Sequence, residues 1–150
     1  MAASWQEYLK LLDGLSKTLE KLTQVEREKN EAAAAGNLLA VEDCMKREQA
    51  LSMSLRGYDQ RRDAMLASLG LTGVRLNDLE RHCPEELQME AKAAAEELRR
   101  QYALFKTASD VVRNTLEINL RAIERMQAVQ AGDSAQAEED RRAHQTDFRA

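Results

Sequence analysis

The sequence predicts an all-α protein: an antiparallel three-helix coiled-coil bundle with a long third helix and a short helical turn in the second connector. Three observations lead there. Breakers are rare, with one Pro and six Gly in 150 residues. Aromatic residues make up only 4% of the chain, and Ala, Leu, Glu, Arg, Gln and Lys displace the β-branched and aromatic residues that sheets need. The hydrophobic share of 43% recurs at helical spacing, which is enough to bury a continuous seam and argues against disorder.

The first helix is expected over about 4–35. Ser4-Trp5-Gln6-Glu7 spells a capping box, in which the Ser hydroxyl and the Glu carboxylate each satisfy an orphan amide of the first turn. Gly14 is the single breaker before Gly36, which suits the left-handed position just past a helix end. Asn37 then caps a second helix over about 37–69, with Gly57 its weak point and Gly70-Leu71 matching a Schellman ending. A connector spans 70–83, with one short helical turn begun near Asn77-Asp78.

Pro84-Glu85-Glu86 is a favourable first turn, so the third helix is expected over about 84–131, with Pro84 at its first position. Acids crowd its start and bases its later half, in agreement with the helix dipole. A tail from 132 to 150, with Phe148 as its one large apolar residue, is expected to be mobile.

Seams follow from spacing. Tyr8, Leu12, Leu15, Leu19 and Leu22 alternate by four and three, as in coiled-coil packing, and Leu9, Leu11 and Val25 widen the stripe to meet two neighbours. The second helix shows the same alternation from Val41 to Leu69, interrupted by Glu48 and Arg62. The third carries two rows, one running from Leu87 to Met126 through Gln101, Thr115 and Asn119, the other holding Leu104, Val111, Ile118 and Val129. Two rows fit a bundle in which each helix packs against both others.

Length then creates a mismatch. At 1.5 Å per residue the first two helices span about 50 Å each and the third about 70 Å. If the third helix starts level with Leu69, its residue opposite Asn37 lies near position 117, and everything beyond overhangs the hairpin. That stretch holds Ile118, Leu120, Ile123, Met126 and Val129, more apolar than a solvated extension needs to be. Exposed apolar residues at helical spacing mark a partner surface, with a helix laid in a groove as the usual mode. The alternative is a core role, if the third helix slides along the connector or the tail folds over this end.

Several function classes are excluded or disfavoured. A net charge of −4 gives no basic field for nucleic acid. No run approaches the roughly 18 apolar residues of a membrane span, and the start lacks a signal peptide's basic and apolar segments, so a cytosolic protein without membrane insertion is expected. Phosphate loops, nucleophile elbows, dinucleotide fingerprints and paired zinc ligands are absent from the sequence. Cys44, Cys83, His82 and His144 lack ligand spacing, and both cysteines read as small packing residues. No catalytic residue, metal or cofactor is expected, and the chain is not expected to be an enzyme.

A set of ordered segments resembles the FlgN-like family of flagellar type III export chaperones. It begins with Trp5-Gln6-Glu7-Tyr8-Leu9-Lys10-Leu11-Leu12 and continues with Ala35-Gly36-Asn37-Leu38-Leu39-Ala40-Val41 at the turn and Lys46-Arg47-Glu48-Gln49-Ala50-Leu51 in the second helix. Leu69-Gly70-Leu71, Leu76-Asn77-Asp78-Leu79 and Asn119-Leu120-Arg121-Ala122-Ile123 follow in order. The resemblance implies a cytosolic chaperone that binds the C-terminal helical segments of hook-associated proteins, prevents their premature assembly and delivers them to export-gate components. It also implies that the partner surface lies on the third helix, at Leu116, Leu120, Ile123 and Met126 with Ile118 and Val129 flanking. The competing readings are a homodimeric coiled-coil scaffold or adaptor, its protruding third helices paired with each other, and a chaperone of another secretion system.

Overall fold

The computed structural model describes the backbone of residues 4–149 and the side chains through residue 143. The described residues form helices and turns without a strand: α1 (Trp5–Ala34), α2 (Leu38–Ser68), the short α3 (Leu79–His82) and α4 (Gln88–Arg149), with single 3-10 turns at Leu76–Asp78 and Glu85–Leu87. The all-α bundle read from the sequence is therefore the fold.

The helix ends obey local chemistry. Ser4 Oγ accepts from the Glu7 amide at 3.1 Å, and the Glu7 carboxylate reaches back to the Ser4 amide at 3.4 Å. Gly36 takes φ +71°, while the amides of Gly36 and Asn37 donate to Ala33 and Ala32, closing a Schellman motif. Asn37 then serves the next helix, its Oδ1 accepting from the Ala40 amide at 3.1 Å. At the far end of α2 the same motif recurs, with Gly70 at φ +73° and the Leu71 amide on the Leu66 carbonyl at 2.8 Å.

Two boundaries differ from expectation. Cys83, forced to extended backbone by the proline that follows, is buried, and Pro84 itself takes ψ 143° and stands outside the helix. A 3-10 turn closed by the Leu87 amide on the Pro84 carbonyl precedes α4, which begins at Gln88 instead of residue 84. The expected helix end near residue 131 is also corrected, because α4 continues through Gly132 to Arg149. An exposed Gly costs a helix only about 1 kcal/mol relative to Ala. The residues after it are strong helix formers joined by pairs such as Gln136–Asp140 and Arg141–Glu138. The side chains of His144 and Phe148 lie outside the described residues.

Partners across the bundle give direction and register. Lys29 pairs with Glu48, and Arg62 Nε donates to the Tyr8 hydroxyl at 3.1 Å, so α2 runs antiparallel to α1. Thr115 meets Asn30 and Asn119 meets Ala33, so α4 runs parallel to α1. The neighbours are unequal, however. α1 packs along both α2 and α4, whereas the backbones of α2 and α4 scarcely approach each other. Every helix does meet both others, but unequally: α1 is in close backbone contact with both flanks, and α2 and α4 meet through long side chains such as Arg62 and Tyr102.

Burial follows this arrangement. Tyr8, Leu12, Leu15 and Leu19 have no exposed surface, while α2 buries fully only Val41, Cys44 and Leu66 and keeps Leu51, Leu55 and Tyr58 half-buried. Leu79 of α3 and Cys83 plug the base beside Ala91 and Leu98 of α4. Gly14 has a packing role that its breaker character hid: a Cβ there would lie 2.7 Å from the Tyr58 ring, which sits against α1 under the Arg61 guanidinium. The two polar interruptions of the α2 seam, Glu48 and Arg62, both reach α1, which fixes the register of the hairpin.

The central position of α1 predicts unequal mutational losses. Leu19→Ala should destabilise by about 2–5 kcal/mol, whereas Leu55→Ala, on a helix with one main neighbour, should cost about 1–2 kcal/mol. Urea unfolding of the two variants checks this, and equal losses would contradict a second helix docked on one flank.

Candidate partner-binding groove

α1 ends at Ala34, and α4 does not. Asn119 Nδ2 donates to the Ala33 carbonyl at 2.7 Å, so an α4 side chain adds a second donor to a carbonyl that already accepts from the Gly36 amide in the last turn of α1, and sets where the two helices part. One turn earlier Thr115 bonds both the Asn30 amide oxygen and its own Val111 carbonyl. From Asn119 to Arg149 the helix continues for roughly 45 Å beyond this pin, and every described side chain from 120 to 143 is exposed. The expected overhang therefore starts within a turn of the position that length arithmetic indicated.

Where the overhang leaves the hairpin, two adjoining hollows of about 360 and about 460 Å³ share Leu116 and Leu120. The larger is apolar, with Ala33 and Ala34 at its floor, Leu38 and Val41 on the hairpin side and Ile123 on the α4 side. The smaller lies between α2 and α4 over α1, and is bounded by Glu26, Lys29, Glu48, Val112, Arg113 and Glu117. Together they form one groove with an apolar end at the hairpin tip and a charged end toward the bundle. It exists because α2 and α4 flank α1 without closing on each other.

The six residues marked in the sequence fall into two groups. Leu116, half-buried, joins Leu120 and Ile123 in the groove, and Met126, one turn on, continues the stripe that α1 covers lower down. Ile118 and Val129 lie elsewhere. At roughly 100° per residue they share a row with Leu104 and Val111, on the side of α4 turned away from α2. Both are mainly exposed, at 64% and 62%.

Sequence reasoning missed part of the groove. Leu38 is 74% exposed in the first turn of α2, beside a helix end that polar residues usually occupy, and its apolar character there was a usable signal. Val41 was assigned to the seam alone. Glu48 was visible as a seam interruption, but its partners were not.

Those partners define the charged end. Glu26 is only 5% exposed, and burial, with the neighbouring Glu48 carboxylate as hydrogen-bond partner, pushes its carboxyl up to about 7. Lys29 Nζ sits 2.6 and 3.1 Å from the Glu48 oxygens and partly offsets the effect on Glu26. When Glu26 holds its proton it can donate to the Glu48 carboxylate, which also accepts from Lys29. Cys44 and Cys83 are buried in different parts of the fold, Cys44 in the hairpin and Cys83 at the base, and burial raises both thiols, which makes them poor nucleophiles. Among the described residues, no cluster of three metal-ligating side chains occurs, and no helix is long and apolar enough to cross a membrane.

Compared with protein-family models, curated proteins and solved structures, the chain matches none.

The Glu26 carboxyl makes stability pH-dependent in a defined direction. Its folded-state value lies above the unfolded one, so the folded chain holds the extra proton and stability falls as pH rises from about 4.5 to about 7, then levels. Glu26→Gln, which keeps a neutral donor, should remove a loss on the order of 2–3 kcal/mol at pH 8 relative to pH 5. The difference in unfolding free energy between wild type and variant should therefore widen across that window. A difference independent of pH would contradict the buried acid.

Proposed function

We propose that the chain is a cytosolic, non-enzymatic chaperone of the flagellar export type, which holds the C-terminal helical segment of a hook-associated protein and passes it to the export gate. The observation that carries this reading is the groove between the hairpin tip and the α4 overhang. An aggregation-prone amphipathic helix needs an apolar strip to lie on, and Leu116, Leu120 and Ile123 with Leu38 and Val41 supply one. The groove is open, and its apolar end lacks the few convergent polar groups of a small-molecule site, which favours a helix as occupant. Nucleotide chemistry is unnecessary, since differential burial alone separates bound from free client.

A second reading has its own observation. Leu104, Val111 and Ile118 recur every seven residues on the other side of α4, a spacing that suits pairing with a second α4 in a homodimeric scaffold or adaptor. A chaperone of another secretion system would use the same groove with a different client.

Replacing both Leu120 and Ile123 by Ser separates these readings. Both side chains are half or more exposed in the free chain, at 56% and 50%, so the helical signal should persist and unfolding free energy should fall by only about 1 kcal/mol. A docked client helix would lose about 1.5–3 kcal/mol of burial at each position, which is a hundredfold or greater loss of affinity. Calorimetric titration with a hook-associated C-terminal segment reads the outcome. Unchanged binding would remove the groove from the mechanism, and unchanged binding accompanied by self-association that Val111→Ser and Ile118→Ser abolish would favour the scaffold.

A further inference from the structure

The two ends of the groove differ in chemistry, and any occupant long enough to span it must answer both. Apolar anchors belong at Leu120 and Ile123, and the charged end lies beside Val112, about 12–16 Å back along α4, or two to three helical turns. Glu26 faces Lys29 on its own helix and Glu48 on α2, and Arg113 and Glu117 of α4 line the same hollow. Both cations already have carboxylates, Lys29 on Glu48 and Arg113 on Asp110. The carboxyls of Glu26 and Glu117 are therefore in excess. A wholly apolar cover would strip water from these groups without replacing its hydrogen bonds, and an anionic one would add repulsion.

We propose that the groove's occupant is an amphipathic helix of a partner protein that carries a lysine or arginine about seven to eleven residues from its apolar anchors, and that the Glu26–Glu48 carboxyl pair receives this cation. The proposal rests on the groove being the client site and specifies the client's chemistry. Charge complementarity carries it: Lys29 is committed to Glu48 and Arg113 to Asp110, so Glu26 and Glu117 are left uncompensated and there is room for a further positive charge. The proton that Glu26 and Glu48 share has a consequence on binding. An arriving ammonium or guanidinium group takes the place of that proton between the carboxylates, the proton leaves to solvent, and charge is conserved. Docking is then coupled to proton release and tightens as pH rises through about 7.

The test uses the full chain and synthetic helical peptides of about 24 residues that share an apolar face of Leu at 4-3 spacing over three turns. They carry Lys, Gln or Glu about ten residues away, on the N-terminal side in one set and on the C-terminal side in the other. In one set the Lys peptide should bind at least tenfold more tightly than its Gln counterpart at pH 8, and the Glu peptide more weakly than either. At pH 6, where Glu26 still holds its proton, titrations in buffers of different ionisation enthalpy should show protons released only with Lys. Glu26→Gln with Glu48→Gln should abolish both the preference and the release while retaining binding of the Gln peptide. Equal binding of Lys and Gln peptides to the wild-type chain, or a preference that survives in the double Gln chain, would overturn the cation proposal and leave the apolar groove in place. No binding of any peptide would overturn the groove and the proposal together. A groove filled by a second copy of the chain, seen as a dimer that peptides cannot displace and that the Leu120→Ser, Ile123→Ser change dissolves, would overturn it as well.

Discussion

The leucine seam of α1 is the interaction on which the rest of the structure depends. Tyr8, Leu12, Leu15, Leu19 and Leu22 lose nearly all contact with water because helices cover them from two sides. At about 1.5–3 kcal/mol for each large side chain fully buried, this row is the main store of hydrophobic stabilisation in the molecule. α2 and α4 are flanking covers held to α1 more than to each other. That asymmetry leaves a groove over α1 where a closed three-helix bundle would have core.

Polar side chains decide how the covers are placed. Arg62 on the Tyr8 hydroxyl and Lys29 on Glu48 fasten α2 near both ends of α1, while Asn119 on the Ala33 carbonyl and Thr115 on Asn30 fasten α4. Leucines at heptad spacing tolerate a shift of one heptad, since each meets an equivalent hole. A hydrogen-bonded pair between specific residues does not tolerate it. The overhang is therefore a consequence of register: Asn119 stands at the last turn of α1, so α4 runs past the hairpin tip from there, with Leu120 and Ile123 at the edge of the tip and all its later described side chains exposed.

The same placement joins apolar and ionisable surface in one groove. Leu38, Leu116, Leu120 and Ile123 supply the area that a client helix needs, and Glu26, Glu48 and Lys29 stand at its inner end. Burying an acid next to another acid is unfavourable when both are charged, and the chain accommodates the pair by keeping a proton on Glu26 to near neutral pH. Such an arrangement adds little to folding. Its physical value lies in discriminating among occupants by charge, which an apolar strip alone cannot do.

Helix identity, caps and turns were legible in the sequence because they are local. Ser4 with Glu7, Gly36 with Asn37, and Gly70 with Leu71 act within a few residues, and the same residue types would end or begin a helix in many contexts. The overhang was legible as well, since rise per residue converts helix length to distance without knowledge of contacts. Tertiary structure decided the rest. That Ile118 and Val129 face away from Leu116, Leu120 and Ile123, that Tyr58 requires a glycine at position 14, and that Glu26 meets Glu48 all depend on the rotation and register of helices brought together from distant parts of the chain. A repeating pattern of apolar residues specifies that a helix has a buried face, but many rotations and offsets satisfy it about equally well. The choice among them falls to a few long-range polar pairs and close approaches whose energies arise only when the helices are already packed.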